Sequence, residues 1–105
     1  MKKVSVVIPS FNRADAAIRC AKSALASDYP DVEVVIVDDC STKCNVASEV
    51  KAELGEIKNL RVIRNERTLR TAATRNNGAN ASSGEYIFFV DDDNILEPET
   101  IRLLV

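Results

Sequence analysis

The sequence predicts an α/β domain built on a mainly parallel sheet. Two observations carry this. Continuous β-branched apolar runs alternate along the chain with segments of helical periodicity. The first two runs are β-branched and largely apolar, as strands covered on both faces are, rather than apolar and polar by turns.

Each element has its own signal. Lys3–Ile8 is a β-branched run closed by Pro9. Over Ala14–Ser27, residues Ala17, Ile18, Ala21, Ala24 and Leu25 recur at helical spacing, and Asp28–Asp31 forms a turn cluster. Glu33–Val37 repeats the buried-strand pattern. Asn45–Leu54 reads as a helix with Val46, Val50 and Leu54 on one stripe and Gly55 as its stop. Leu60–Arg64 alternates apolar and polar, as a more exposed strand would. Thr71–Ala81 is helical, with Ala72, Ala73, Ala79 and Ala81 as small contacts, and Ser82-Ser83-Gly84 ends it. Tyr86–Val90 is the most apolar strand, and Pro98 introduces a helix over Glu99–Val105. Right-handed crossovers then give the strand order 3-2-1-4. That order puts a switch point between the first and fourth strands, where ligands of such sheets bind.

Length and composition remove several functions. A chain of 105 residues supports one core. Its net charge of -2 argues against a duplex-binding module, which should be basic. There is no His, so Ser-His-Asp and Cys-His catalysis are excluded and acid–base or metal chemistry falls to carboxylates. Cys20, Cys40 and Cys44 read as free thiols, since two nearby thiols without His make a poor zinc site. No apolar run approaches a membrane span, and Met1–Pro9 is no signal peptide, so a cytoplasmic location is expected.

Carboxylates directly after strands are the informative residues. Asp38 and Asp39 follow the second strand, Asp91, Asp92 and Asp93 follow the fourth, and Ser10–Arg13 follow the first. In the order 3-2-1-4 all three segments meet at one edge of the sheet. Clustered carboxylates need a counter-charge, and a hard divalent cation, Mg²⁺ or Mn²⁺, supplies it. Asp91 and Asp93 flank one residue, so a tight turn aims both at one ion, while the middle Asp92 is the weak member. Asp38-Asp39 taken alone fits turn and cap chemistry. Phe11 is compatible with a core position or with stacking on a base. Arg75 is compatible with a solvated charge or with a phosphate or carboxylate partner. The first loop has neither dinucleotide-binding nor P-loop glycines.

Four segments in order carry a resemblance: Val4–Asn12, Val35–Ser41, Ala73–Gly78 and Gly84–Asp93. Together they resemble the N-terminal half of family-two glycosyltransferases of the GT-A fold, whose sheet is Rossmann-like. The resemblance implies a nucleotide-diphospho-sugar donor, most simply a UDP-sugar, and transfer of its sugar to an acceptor hydroxyl. By position, Pro9, Ser10 and Phe11 would line the nucleoside pocket and Asp39 would hydrogen-bond the base. Arg75 would sit near the diphosphate, with Asp91 and Asp92 also on the donor side. Asp91 and Asp93 match the DxD positions, and Asp93 is the expected direct ligand of Mn²⁺ or Mg²⁺. The general base of inverting members lies in their C-terminal half. Residues 1–105 are therefore expected to bind donor and metal without the full catalytic apparatus, as the N-terminal part of a longer domain that works at the cytosolic face of a membrane.

Cys40 and Arg70 stand where the family usually has Gly, and Thr68 where it often has Asn, so different loop shapes are expected there. Rival readings are a sugar-nucleotidyltransferase, a receiver-like signalling domain and a non-catalytic α/β fragment. The first lacks its Gly- and Arg-containing loop, and the second lacks an acidic pair after the first strand. The fourth strand, at the sheet edge and apolar on both faces, and the apolar C-terminal helix predict self-association as a homodimer.

Overall fold

Four strands, all parallel, pair in the order 3-2-1-4 that the sequence predicts. The computed structural model describes residues 2–105. In chain order the elements are β1 (Val4–Ser10), α1 (Ala14–Leu25), β2 (Val32–Asp38), α2 (Val46–Leu54), β3 (Leu60–Arg64), α3 (Arg70–Ala81), β4 (Tyr86–Phe89) and α4 (Thr100–Leu104).

β1 and β2 form the spine, and every residue of β2 is buried. Their side chains divide between two faces. Val4, Val6, Ile8, Val34 and Ile36 join α1, α2 and Ile101 of α4 in the larger core. Val7, Val35 and Val37 face α3. Continuous apolar runs are what this two-sided burial requires. β3 closes one edge with a half-buried pattern, and β4 forms the other.

The predicted close of the first strand at Pro9 is corrected. β1 continues through Pro9, paired with Val37, to Ser10, paired with Asp38. On β1, the carbonyls of Lys3 and Val7 face β4, accepting from Glu85 and Val90, whereas that of Ser10 faces Asp39. Pro9 shares the β4-facing side with Val7, and β4 has already ended there, so its missing N–H interrupts no ladder.

The third helix is corrected too. Its buried positions are Thr74 and Gly78, four residues apart, and not the alanines. A Cβ on Gly78 would lie 2.3 Å from Val7 Cγ1 and 2.9 Å from Val37 Cγ2. Glycine thus lets α3 settle directly on the sheet. α1 and α4 are shorter than their periodicity suggests, and the first helical residue of α4 is Thr100, after the turn that holds Pro98. Gly55 ends α2 at φ +69°, as the sequence predicts.

At the far end of the sheet Glu33 is buried on β2 and accepts from Ser83 N at 2.6 Å and from the Ser5 hydroxyl. Burial opposes its ionised form, but these donors prevail and hold its carboxyl below the ordinary value. The pair pins the α3–β4 turn to the sheet. No helix among the described residues is long and apolar enough to cross a membrane.

Candidate functional site

The carboxyl ends of β1, β2 and β4 open onto one cavity of about 620 Å³. Pro9, Ser10 and Phe11 form its floor, Asp39 one wall and Asp91, Asp92 and Asp93 the opposite one. Of the residues singled out in the sequence, these seven are brought together. Arg75 is placed behind the acidic turn and does not line the cavity.

The floor is set by the β1–α1 loop. Asn12 adopts φ +55°, and its Oδ1 accepts from Thr42 N and Lys43 N at 2.8 and 2.9 Å. This ties the loop to the one after β2 and leaves Phe11 44% exposed. Phe11 is therefore a surface aromatic at the cavity and not a core residue. Ser10 Oγ is buried without a hydrogen-bond partner among the described residues.

The two aspartates after β2 differ in role. Asp38 is structural: its Oδ1 accepts from Ser41 N at 2.9 Å, and its Oδ2 is 3.1 Å from Arg64 Nη1. Asp39 reaches the cavity. Its Oδ1 accepts from Asn65 Nδ2 at 2.8 Å and Leu69 N at 2.7 Å, and its Oδ2 from Arg70 N at 2.9 Å. Burial alone would raise its pKa, yet the donors of Leu69, Asn65 and Arg70 prevail and hold it below the ordinary carboxylate value. A carboxylate has about four lone-pair sites. Leu69, Asn65 and Arg70 use three, and the Thr74 side chain also bears on the carboxylate.

The loops at Cys40 and Arg70 answer the question the substitutions raised. Both residues are left-handed, at φ +61° and +68°. The backbone keeps a conformation glycine favours, although neither residue is glycine.

In the acidic turn, Asn94 N donates to the Asp91 carbonyl at 3.0 Å. The Asp91 carboxylate is open on one side and sits 3.1 Å from Arg75 Nη2 on the other. Arg75 also lies over the Phe89 ring, 5.9 Å from its centroid. Asp92 turns inward, its side chain 10% exposed and 3.4 Å from Arg13 Nη1. Burial raises its pKa, against the opposing pull of Arg13 and with Asp93 and Asp91 adding to the rise. Cys20 lies beneath this turn with Sγ 3.6 Å from the Asp91 carbonyl. Burial, then the three neighbouring aspartates, push its thiol up to about 11, so it is an inert core group. Asp93 is exposed and has no side-chain partner among the described residues.

Arg13 lines the cavity within the Ser10–Arg13 segment that the sequence places at this edge, whereas sequence reasoning missed Thr68, Arg70, Thr71 and Thr74 as cavity residues. Thr71 and Thr74 carried a signal, being polar at i and i+3 on a helix that follows the β3 edge. Arg70 was visible only as a departure from glycine.

Residues 5–105 match the sequence profile of Glycosyl transferase family 2. The chain belongs to this family. Among relatives, it is 33% identical over 102 residues to the succinoglycan biosynthesis protein ExoO of Rhizobium meliloti, covering 97% of this chain and 28% of ExoO. It is 31% identical over 97 residues to a Campylobacter jejuni GalNAc(5)-diNAcBac-PP-undecaprenol beta-1,3-glucosyltransferase, covering 91% of this chain and 31% of that enzyme. Residues 1–349 of TarS from S. aureus superpose with a TM-score of 0.82 at 31% identity, covering 97% of this chain and 31% of that 1–349 chain. The same protein has been solved with UDP and with UDP-GlcNAc. The mannosyltransferase PcManGT of Pyrobaculum calidifontis, solved with GDP-Man and Mn²⁺, superposes at a TM-score of 0.85 and 26% identity, over 95% of this chain and 30% of that one. These superpositions identify the sheet and its helices as part of a GT-A fold and displace the receiver-like and nucleotidyltransferase readings. The chain spans about a third or less of the length of most of these relatives.

Proposed function

We propose that this chain is the donor-binding part of a glycosyltransferase that moves a sugar from a nucleoside diphosphate to an acceptor hydroxyl. The observation that carries the proposal is the convergence of Phe11, Asp39, Asp91 and Asp93 on one cavity at the switch point of a parallel sheet. Phe11 offers an exposed ring on which a base stacks. Asp39, ionised and rigidly held, presents a carboxylate acceptor at the cavity for a base N–H, which fits the uracil imide of a UDP-sugar. Asp92 acts from behind, through Arg13, holding the acidic turn against the β1–α1 loop.

The donor set also fits a divalent metal. Asp91 and Asp93 present hard oxygen ligands at the cavity. That is the arrangement suited to Mn²⁺ or Mg²⁺, which fill their remaining positions with water and phosphate oxygens. Bound by Asp91 and Asp93, such an ion would offset the charge that develops on the departing nucleoside diphosphate. Activation of the acceptor hydroxyl is assigned to the remaining length of the relatives' domain, so residues 1–105 alone should hydrolyse donor slowly at most. Free cysteines and the nucleotide donor accord with a cytoplasmic site of action. The homodimer proposed from the sequence rests on the apolar β4 edge and on exposed Leu103 and Leu104 of α4.

Calorimetric titration of the chain with UDP, with and without Mn²⁺, tests the reading. Binding should tighten with metal. No binding of UDP under either condition would overturn it.

A further inference from the structure

We infer that Arg70 is a phosphate-contacting residue of this cavity, an inference that rests on the donor reading above. Three observations converge on it. The first is backbone geometry. Arg70 holds φ +68°, a conformation that is strained for any residue with a Cβ. Its N–H on Asp39 Oδ2, beside Leu69 N on Oδ1, is what fixes the chain there. Strain of this kind persists where surrounding contacts over-determine it, and it gathers at ligand clamps.

The second is the state of the cations. Arg13 is committed to Asp92, Arg64 to Asp38, and Arg75 to Asp91 and the Phe89 ring. Arg75 was the cation expected near the diphosphate, and it lies outside the cavity lining. Arg70 lines the cavity, is exposed, and has no side-chain hydrogen bond or ion pair among the described residues.

The third is charge. The cavity wall carries Asp39, Asp91, Asp92 and Asp93 against only Arg13 and Arg70. A metal at Asp91 and Asp93 meets a diphosphate from one wall. The planar fork of Arg70 meets it from the other, with geometry that suits two phosphate oxygens at once.

Uridine and UDP titrations of the unmodified chain, Arg70→Gly and Arg70→Lys, with Mn²⁺ present, decide the matter. Arg70→Gly should bind UDP roughly tenfold more weakly while leaving uridine binding unchanged. It should also raise Tm, because glycine relieves the strained φ. Arg70→Lys should recover part of the UDP affinity, through charge without the fork. Unchanged UDP affinity in Arg70→Gly would overturn the inference and leave the donor reading standing. Equal losses for uridine and UDP would place Arg70 on the base and overturn it too. If the unmodified chain binds no UDP, the donor reading falls and this inference falls with it.

Discussion

The backbone N–H of Arg70 lies 2.9 Å from Asp39 Oδ2, so the carboxylate that faces the cavity also holds the loop that shapes its wall. Binding surface and structural anchor are the same group. Perturbing either residue should therefore register in both stability and affinity, which is unusual for a residue whose only task is to touch a ligand.

Asp39→Asn tests this directly. The amide keeps the shape but cannot accept from Asn65, Leu69 and Arg70 together, and the buried donors left over cost about 1–3 kcal/mol. The folded pKa of Asp39 lies below its ordinary 3.8. Its contribution is thus complete above the unfolded value and lost as pH falls through the lower folded one. The variant should be less stable near neutrality and show a shallower acid limb below about pH 4 in denaturant melts followed by circular dichroism. An unchanged acid limb would contradict the assignment.

Asp93→Ala should remove the enhancement of UDP binding by Mn²⁺ while leaving metal-free binding close to that of the parent. Asp93 is exposed and has no side-chain partner among the described residues, so the substitution should leave the fold intact. Paired titrations with and without Mn²⁺ read the effect. A preserved metal response would show that the ion sits elsewhere.

Cys40→Gly should stabilise the chain. Relief of a left-handed residue is worth about 1–2 kcal/mol, and the added freedom of glycine takes back about 0.5–1. Among the described residues the thiol's hydrogen bonds are weak ones, at 3.6 Å to Arg64 and 3.7 Å to the Glu66 carbonyl. A net gain of about 0.5–1 kcal/mol in urea melts is expected. Destabilisation would mean that those sulfur contacts matter more than the backbone.

The β4 edge gives a prediction about association. Tyr86, Ile87 and Phe89 are all at least 36% exposed, and among the described residues β4 pairs with β1 alone. Sedimentation across a concentration series should show a dimer that Ile87→Lys weakens, since an edge lysine discourages strand addition. A strict monomer at high concentration would remove the proposal.

The sheet was legible because two-sided burial leaves a largely apolar, β-branched run, and β1 and β2 each have one despite Ser5 and Glu33. The site was legible for a related reason. In a parallel sheet every strand ends on the same side, so Ser10, Asp39 and Asp91 had to converge once the order was known. Side-chain allegiance was not legible. Nothing in Asp91-Asp92-Asp93 says that the middle residue turns to Arg13, or that Arg75 is drawn to Asp91, since both depend on how α1 and α3 dock. Pro9 misled because its penalty depends on which neighbour its nitrogen faces. That is a property of the register with β4 rather than of the residue.

The contact at Gly78 reaches beyond local packing. The same helix that rests on Val7 and Val37 there carries Thr71 and Thr74 to the cavity wall and begins at Arg70. Gly78 thereby acts as a gauge for the width of the cleft two turns away. A single methyl group would lift the helix like a shim under one end of a hinge plate. The width of that cleft is then set partly by a residue that lies outside its lining.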